Sequence, residues 1–424
     1  MQLLLCPKCL RLGILNLLIL SLCVFASIAV AADTKKPTAK LTLQEALSLA
    51  LNANPELTVA LREREAIEGV KMQAGVGPNP SISTSIQDTR SATRQTTLQL
   101  NQEIELGNKR DARIEAANAI YSKATAEIES RKAEVHANVI AAFYEVLTAQ
   151  ERINLAKSSL EVANLALDAA AKRVKAGKSS PVEETKSKIA QSTSKIELIQ
   201  ANNLLNSSRK RLSSLWGDTL PTFENAEGRI ADLPEMNDLS DLSAMLQNSP
   251  VIKVARIEVE TRETLTKVEQ SKTTPNITVS AGVVNNQELG INQALLGLSV
   301  PIPLFDRNQG NLQEAVSRKY KAQDELAALE NRLSANLAGQ YERFNAARLA
   351  IESLQTEILP SAQSAFDAAN KGFSAGKFNF LDVLDAQRTL FQAKSQYIQA
   401  LLEAHLAVAE IERMLGDVIS HQHN

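Results

Sequence analysis

Three groups of residues in this sequence have the types and spacings that chemical sites use. Cys6 and Cys9 form a Cys-x-x-Cys pair, which is the spacing of many zinc and redox sites. His421 and His423 lie two residues apart, and residues 305–308 read Phe-Asp-Arg-Asn, a composition compatible with a catalytic loop. Metal binding, thiol redox chemistry and acid–base catalysis are therefore the first functions to consider.

None of these three groups is expected to be a reactive site. The cysteine pair falls inside an N-terminal export signal, which is removed, and the sequence has no second pair. Side chains two residues apart do not share a helical face, and no third ligand is near the histidines, so a disordered tail is favoured over a metal site. Residues 305–308 lie between a strand pattern and a helix pattern, where a turn and a cap are expected. We expect no catalytic residue, no cofactor and no metal site, so the chain is not predicted to be an enzyme.

A fourth group consists of two carboxylates. Asp382 and Asp385 are three residues apart, so on a helix they share one face. The same pair fits a solvated helix surface or a narrow passage lined with negative charge. The elements that hold the pair must decide between these two interpretations.

The composition is that of long helices. The 424 residues are 44% hydrophobic but only 4% aromatic, with 16 Gly and 13 Pro, which argues against a compact α/β enzyme. The 46 basic and 48 acidic residues nearly cancel, so no overall positive field is present to hold nucleic acid. Charge alone does not name a partner.

The first 31 residues have the pattern of a secretory signal peptide. Lys8 and Arg11 precede an apolar stretch that ends in Ala-Val-Ala-Ala over residues 29–32. An uncleaved membrane anchor is the alternative, and Cys23 is a weaker candidate for lipid attachment because the bulky Leu22 precedes it. After residue 31 no uninterrupted apolar run reaches the roughly 18 residues that a spanning helix needs. The exported chain is predicted to be soluble or to cross a membrane by strands.

The remaining sequence is an internal duplication. Four short patterns recur in the same order at spacings of 195 to 199 residues, among them Ala176-Gly177-Lys178 and Ala375-Gly376-Lys377. We assign a signal peptide at 1–31, a first repeat at 32–216, a linker at 217–240, a second repeat at 241–416 and a tail at 417–424. Each repeat is predicted to contain a helix, two strands, a very long helix and a return helix.

The long helices are predicted to pack as coiled coils. Residues 108–176 contain neither Gly nor Pro, and apolar residues recur every seven positions, from Ile114 to Ala170. A helix of that length would span about 100 Å. Ala176 to Pro181 should reverse the chain, with Gly as the left-handed cap and Pro opening the return helix. In the second repeat, Pro360 predicts a kink or a break.

Two segments in each repeat alternate between apolar and polar residues. They cover 81–88, 96–106, 277–283 and 296–304, and each has one largely apolar face. Such segments fit either an amphipathic hairpin packed on a helix or the strands of a transmembrane barrel. Four strands in a bilayer would leave two open edges, so closure would need a ring of chains. Two copies would give 8 strands and three would give 12, and three are preferred because an 8-strand barrel is filled by its own side chains whereas 12 strands leave a lumen.

At this point the sequence resembles the trimeric TolC-like outer-membrane efflux channels. The resemblance covers essentially the whole mature chain, and its most specific segment runs from Gly376 to Gln387. Residues 103–110 and 301–310 are similar to the branch associated with cobalt, zinc and cadmium efflux. The resemblance implies a mainly α fold with a membrane β-barrel: helical hairpins form an α-barrel, and four strands per chain join a shared 12-strand barrel.

The resemblance also implies a function and a set of sites. It implies a passive duct in the outer membrane of a Gram-negative bacterium, a homotrimer that contacts lipid, a periplasmic adaptor and an inner-membrane pump, with heavy-metal cations as cargo. Asp382 and Asp385 would narrow the periplasmic entrance. The adaptor would dock at two tips, consisting of Ala176, Gly177, Lys178, Ser179, Ser180, Pro181 and of Ala375, Gly376, Lys377, Phe378, Asn379, Phe380.

Two other functions remain open at this stage. One is a channel of the same family that exports drugs or other small molecules, because a duct need not bind what passes through it. A soluble periplasmic coiled-coil adaptor or scaffold would explain the heptads but not the paired strands. An enzyme would need a pocket with converging polar groups, which the sequence does not reveal.

Overall fold

The computed structural model describes residues 38–416. The assigned signal peptide with its three cysteines, and the tail with His421 and His423, lie outside the described residues.

In the first repeat, helices, two strands, a long helix and a return helix follow one another in the predicted order, after a short strand that was not predicted. A short strand β1 (Thr38–Thr42) leads into helices α1 (Leu43–Ala53) and α2 (Pro55–Ala74), which are followed by strands β2 (Ser81–Gln87) and β3 (Gln95–Ile104). The long helix α3 (Lys109–Lys175) and the return helix α4 (Pro181–Ser214) complete the repeat, and strand β4 (Phe223–Glu227) follows in the linker.

The second repeat has the same order. Helices α5 (Leu239–Leu246) and α6 (Pro250–Ser271) precede strands β5 (Ile277–Asn286) and β6 (Ile291–Ser299). The long helix is divided into α7 (Gln309–Ser353), a π-helical segment (Leu354–Ile358) and α8 (Leu359–Ser374), and α9 (Phe380–Leu415) returns.

The heptad pattern explains how α3 packs. Its 67 residues span about 100 Å at 1.5 Å per residue. The predicted apolar row is buried along the C-terminal two thirds of the helix, at Ile128, Val135, Ala142, Ala149, Ala156, Ala163 and Ala170. Helices α4, α9 and α6 pack along α3, so one helix organises both repeats.

The predicted interruption near Pro360 is present. Pro360 has no N–H to donate to the preceding turn, and the five residues from Leu354 to Ile358 adopt the wider π-helical pattern directly before α8. The helix therefore continues past the proline through a local change of winding. Gly339, by contrast, lies within the uninterrupted helix α7.

Four strands form one antiparallel sheet in the order β2-β3-β5-β6. One prediction here was wrong: the fourth strand begins at Ile291 and ends at Ser299, whereas the alternating pattern had placed it at 296–304. Pro301 and Pro303 explain the difference, because a residue without an N–H cannot continue the ladder of hydrogen bonds. Val300, Ile302 and Leu304 therefore lie beyond the sheet.

The linker is part of the packed core. Strand β4 pairs with β1, and the Ala226 backbone exchanges hydrogen bonds with the Gln150 side chain at 2.7 and 3.0 Å. His405 on α9 is almost fully buried, stacks on Tyr144 at 3.5 Å between ring centroids, and places its Nε2 atom 2.8 Å from the Ile230 carbonyl oxygen. These contacts hold the linker against both repeats.

Candidate functional site

The four helices of the two hairpins pack side by side. Helix α4 packs on α3, α3 packs on α9, and α9 packs on α8, so the layer has the order α4-α3-α9-α8. The sheet has β2 at one edge and β6 at the other. Each repeat therefore supplies one edge of the sheet and one edge of the helical layer.

The first tip, residues 176–181, is a tight reversal. Gly177 has a φ of +70°, and the Lys178 amide donates to the Arg173 carbonyl at 2.9 Å while the Gly177 amide donates to the Val174 carbonyl at 3.0 Å. This pair of bonds is the Schellman helix ending, which a left-handed glycine permits. Ser180 then caps α4 by accepting a hydrogen bond from the Val182 amide.

The second tip, residues 375–380, repeats this geometry and adds aromatic contacts. The Lys377 amide donates to the Gly372 carbonyl at 2.8 Å, and Gly376 has a φ of +73°. The Phe378 ring lies against Gly372 so closely that a Cβ atom there would come within 2.2 Å of it. Phe378 nevertheless remains 48% exposed, which leaves an aromatic surface at the end of the hairpin.

One side chain joins the two tips. The Arg173 guanidinium lies 4.4 Å from the centroid of the Phe373 ring, and its Nη1 atom donates to the Phe373 carbonyl at 3.3 Å. Phe373 in turn meets the buried Phe380 edge-on at 6.0 Å. A cation over an aromatic face is attracted to it, so this contact couples the ends of the two hairpins.

The structure places both predicted entrance carboxylates on the exposed surface of α9, next to the second tip. Asp382 also has a role that the sequence did not predict. Its carboxylate accepts a hydrogen bond from the Asn379 backbone N–H at 3.0 Å, and its own backbone N–H donates to the Asn379 side-chain oxygen at 3.0 Å. This reciprocal capping box fixes the start of α9. The Asn-x-x-Asp spacing was the signal that could have revealed it.

The sheet leaves its apolar face uncovered. The register aligns Ile82, Leu100, Ala281 and Leu296 across all four strands, and Ile82, Leu100 and Leu296 are 75%, 49% and 84% exposed. The interpretation of these strands as hairpins packed on a helix is therefore wrong. An exposed apolar surface of this extent indicates an apolar partner outside the chain.

The opposite face of the sheet is polar and internally bonded. The Asn101 amide group donates to the Ser83 hydroxyl at 3.0 Å, and the Ser280 hydroxyl donates to the Asn101 side-chain oxygen at 2.9 Å. Hydroxyl and amide groups of three strands thus form a continuous line suited to contact with water. The sheet therefore has one face suited to an apolar medium and one suited to water.

Residues 38–416 contain no cluster of three or more His, Cys, Asp or Glu side chains arranged to hold a metal ion. In the same range, no helix combines the length and the apolar character that crossing a membrane requires.

Comparison with known proteins gives a consistent result. The family model described as "Outer membrane efflux protein" matches residues 46–218 and 242–417. The cobalt-zinc-cadmium resistance protein CzcC of Cupriavidus metallidurans is 44% identical over 89% of this chain and 90% of its own length. The nickel-cobalt-cadmium resistance protein NccC of Alcaligenes xylosoxydans is 27% identical over 71% of this chain and 68% of its own length.

The fold is shared with solved outer-membrane channels. The structure of the outer-membrane channel OprN matches with a TM-score of 0.76 at 17% identity, covering 88% of this chain and 89% of that one. The expected fold class is confirmed. The alternative of a soluble periplasmic scaffold is wrong, because both the relatives and the uncovered apolar sheet point to the outer membrane.

Proposed function

This chain belongs to the outer membrane efflux protein family and is an outer-membrane efflux channel; from this premise we propose that it carries heavy-metal cations out of the cell. In this proposal the channel is passive, and a periplasmic adaptor connects it to an energised inner-membrane pump. The chain belongs to a family of channels, not of enzymes. In the proposal, the sheet provides the path across the membrane, the long helices form the wall of the duct, and the tips form the docking surfaces.

The uncovered apolar face of the sheet is the observation that carries the channel function. Burial of apolar surface stabilises by about 25 cal/mol per Å², so side chains such as Leu296 and Ile82 are stable in lipid and costly in water. The polar face with Ser83, Asn101 and Ser280 then lines an aqueous space. A sheet with one apolar face and one polar face fits the wall of a water-filled pore better than the interior of a globular domain.

The two edges of the sheet support a ring of copies. Strands β2 and β6 each have one side without a neighbour in the four-stranded sheet, and unpaired backbone groups in lipid cost several kcal/mol each. Because the edges differ, β2 of one copy would pair with β6 of the next, which is a head-to-tail contact that closes into a ring. Three copies would supply 12 strands, enough to surround a lumen.

The helical layer supports the same arrangement. Its edge helix α4 exposes Val182, Ile189 and Ile196 at seven-residue spacing, each more than half exposed. The opposite edge helix, α8, exposes the small residues Ser361, Ala365 and Ala368 on one face. Neighbouring helices interlock when large side chains of one helix fill the spaces above small residues of the other. We therefore expect α4 of one copy to pack on α8 of the next.

The cargo is proposed from the relatives and from charge. The name of the 44% identical relative specifies cobalt, zinc and cadmium resistance, and that of a second relative specifies nickel, cobalt and cadmium. Asp382 and Asp385, repeated by three subunits, would place six carboxylates around the periplasmic entrance and favour the entry of cations. Drugs and other small molecules are the alternative cargo.

The two tips are proposed as the adaptor-docking surfaces. They form the ends of the hairpins that lie farthest along α3 from the sheet, and their backbone is fixed by the same Schellman geometry in both repeats. Phe378 adds an exposed aromatic side chain, a residue type enriched where proteins meet.

Metal resistance in a deletion strain tests the proposed function. A strain lacking this chain should become sensitive to cobalt, zinc and cadmium and should accumulate these ions, and the wild-type gene should restore both properties. The matched measurement uses an uncharged antibiotic and a dye. Unchanged metal accumulation together with antibiotic or dye accumulation would replace the metal assignment with the alternative cargo.

A further inference from the structure

The two tips have the same backbone but different charge. At the constant offset of 199 residues, Arg173, Lys175, Lys186 and Lys188 of the first hairpin correspond to Gly372, Ser374, Asp385 and Gln387 of the second. Residues 167–188 therefore contain six basic and three acidic residues, a net charge of +3. The corresponding residues 366–387 contain two basic and three acidic residues, a net charge of −1.

The lysines at the end of the first hairpin make no ion pairs or hydrogen bonds with other described residues of the chain. Lys172, Lys175, Lys178, Lys186 and Lys188 are all exposed, and within residues 38–416 none of these five ammonium groups makes a hydrogen bond or an ion pair. Some lysines elsewhere pair with carboxylates of neighbouring elements, for example Lys123 with Glu258 and Lys267 with Glu115, whereas others, such as Lys157 and Lys195, are exposed without an ion pair in the described part of the chain. The end of the first hairpin differs because five such lysines lie between residues 172 and 188.

The acidic residues of the same region do not neutralise these lysines. Glu183 and Glu184 lie in the first turn of α4, where the positive end of the helix dipole stabilises carboxylates. The half-buried Arg173 is engaged with the Phe373 ring. In a ring of three copies the pattern would give three positive tips alternating with three weakly negative ones.

We infer that residues 167–188, which comprise the first tip and the helix turns on either side of it, dock an acidic surface of a partner protein, whereas the second tip supplies the aromatic contact. The inference rests on the proposed docking function and adds the chemistry of the partner. Lipid of the membrane that holds the sheet is out of reach, because α3 separates the tip from the strands by about 100 Å. Opposite charge at an interface raises the association rate and selects among partners.

The second tip provides the substitutions that test this inference. The triple variant Lys175→Ser, Lys186→Asp and Lys188→Gln gives the first tip the residues of the second at three exposed positions and changes its net charge from +3 to −1. The control makes the same three kinds of change at exposed lysines away from the tip, as Lys157→Ser, Lys195→Asp and Lys210→Gln. Both variants carry the same total charge.

The binding probe is a synthetic helical hairpin made with an acidic tip and, separately, with a neutral tip. At low salt, the detergent-purified wild-type channel and the control should bind the acidic hairpin about tenfold more tightly than the triple variant does, and the difference should shrink at high salt. Equal binding of the acidic and neutral hairpins, or wild-type binding by the triple variant, would overturn the inference. Competition by soluble peptidoglycan fragments as strong as that by the acidic hairpin would instead identify a glycan site.

This measurement is independent of cargo. If the deletion strain shows no metal phenotype while the salt-dependent binding is present, the proposed cargo is wrong and the docking chemistry stands. If metal resistance is restored equally by the triple variant and the control, and the acidic hairpin does not discriminate between them, the docking inference fails and the channel function stands.

Discussion

At the scale of single residues, Asp382 and Asp385 combine a structural role with a proposed electrostatic one. Because Asp382 completes the capping box with Asn379, replacing it by Ala would remove the cap as well as the charge. Asn keeps an oxygen that can accept the Asn379 N–H, so Asp382→Asn with Asp385→Asn isolates the charge.

We expect this double Asn variant to lower cation selectivity and to reduce block by multivalent cations added from the periplasmic side. The reason is that neutral amides no longer concentrate cations at the entrance. Planar-bilayer recordings at low and high salt measure both properties. Glu183→Gln, at the matching position of the first tip, is the control, and wild-type selectivity in the double variant would show that these acids only decorate a solvated surface.

Gly372 makes the shape of the second tip testable. In Gly372→Ala the new methyl group would meet the Phe378 ring, so the ring must leave its place, at a cost of about 1–3 kcal/mol. Gly339→Ala is the matched control, because a Cβ atom there meets nothing within 4 Å and Ala favours the helix.

We expect Gly372→Ala to reduce metal resistance and chemical crosslinking to the adaptor, while Gly339→Ala leaves both at the wild-type level. Both variants should reach the outer membrane in normal amounts, which membrane fractionation checks. If Gly372→Ala retains full resistance and crosslinking, the ordered Phe378 surface is not needed for docking.

The sequence predicted which residues lie at the tips but not how they are held. The Ala-Gly-Lys repeats identified the reversals, because a helix that ends in a left-handed residue favours glycine at that position. The contact of Arg173 with Phe373 joins residues 200 positions apart, and no local pattern records such a pair. The charge difference between the tips can be read from the sequence at the offset of 199 residues, and the structure adds that the two tips share one backbone geometry.

At the scale of elements, an ion pair ties the long helix of the first repeat to the second repeat. Lys123 on α3 contacts Glu258 on α6 at 2.9 Å, and Arg262 contacts the same carboxylate at 2.6 Å. Burial opposes the charged form of Glu258, but the two hydrogen bonds outweigh it and lower the pKa of this carboxyl below its ordinary value of 4.5.

A lowered folded-state pKa means that the pair stabilises the fold above the unfolded value and that this stabilisation is lost as the pH falls below about 4.5. Glu258→Gln should therefore lower the free energy of unfolding at pH 7 by at most about 1 kcal/mol, which is measured as a lower unfolding temperature. The difference from wild type should shrink at pH 4. Glu260→Gln, an exposed neighbour on the same helix, is the control. A difference that is constant from pH 7 to pH 4 would contradict the assignment.

Elements with a long periodic signal were predicted well, and short ones were not. Helix α3 was predicted to within a residue or two because nine residues at seven-residue spacing carry the same signal. The end of β6 was misplaced because the alternation continues past Ser299 although Pro301 and Pro303 prevent pairing. Strands β1 and β4 were missed, since five residues paired with a partner about 185 positions away leave no local periodicity.

At the scale of the whole molecule, the unlike edges predict a defined assembly. Detergent-extracted channel should have three times the mass of the mature chain, and crosslinking should give dimer and trimer bands with no larger product, because a ring consumes both edges of every copy. Light scattering combined with size-exclusion chromatography measures the mass. A stable monomer with its full strand content would contradict the prediction.

The uncovered sheet also has a consequence for the life of the chain before assembly. Between export and insertion, a single copy carries large apolar side chains and two unpaired strand edges through water, which is the combination that promotes aggregation. Because closure requires three such copies to meet, its rate falls steeply when the supply of chains is low, whereas misassociation remains open to any pair. We therefore expect single copies to aggregate unless the exposed face is covered before the ring closes.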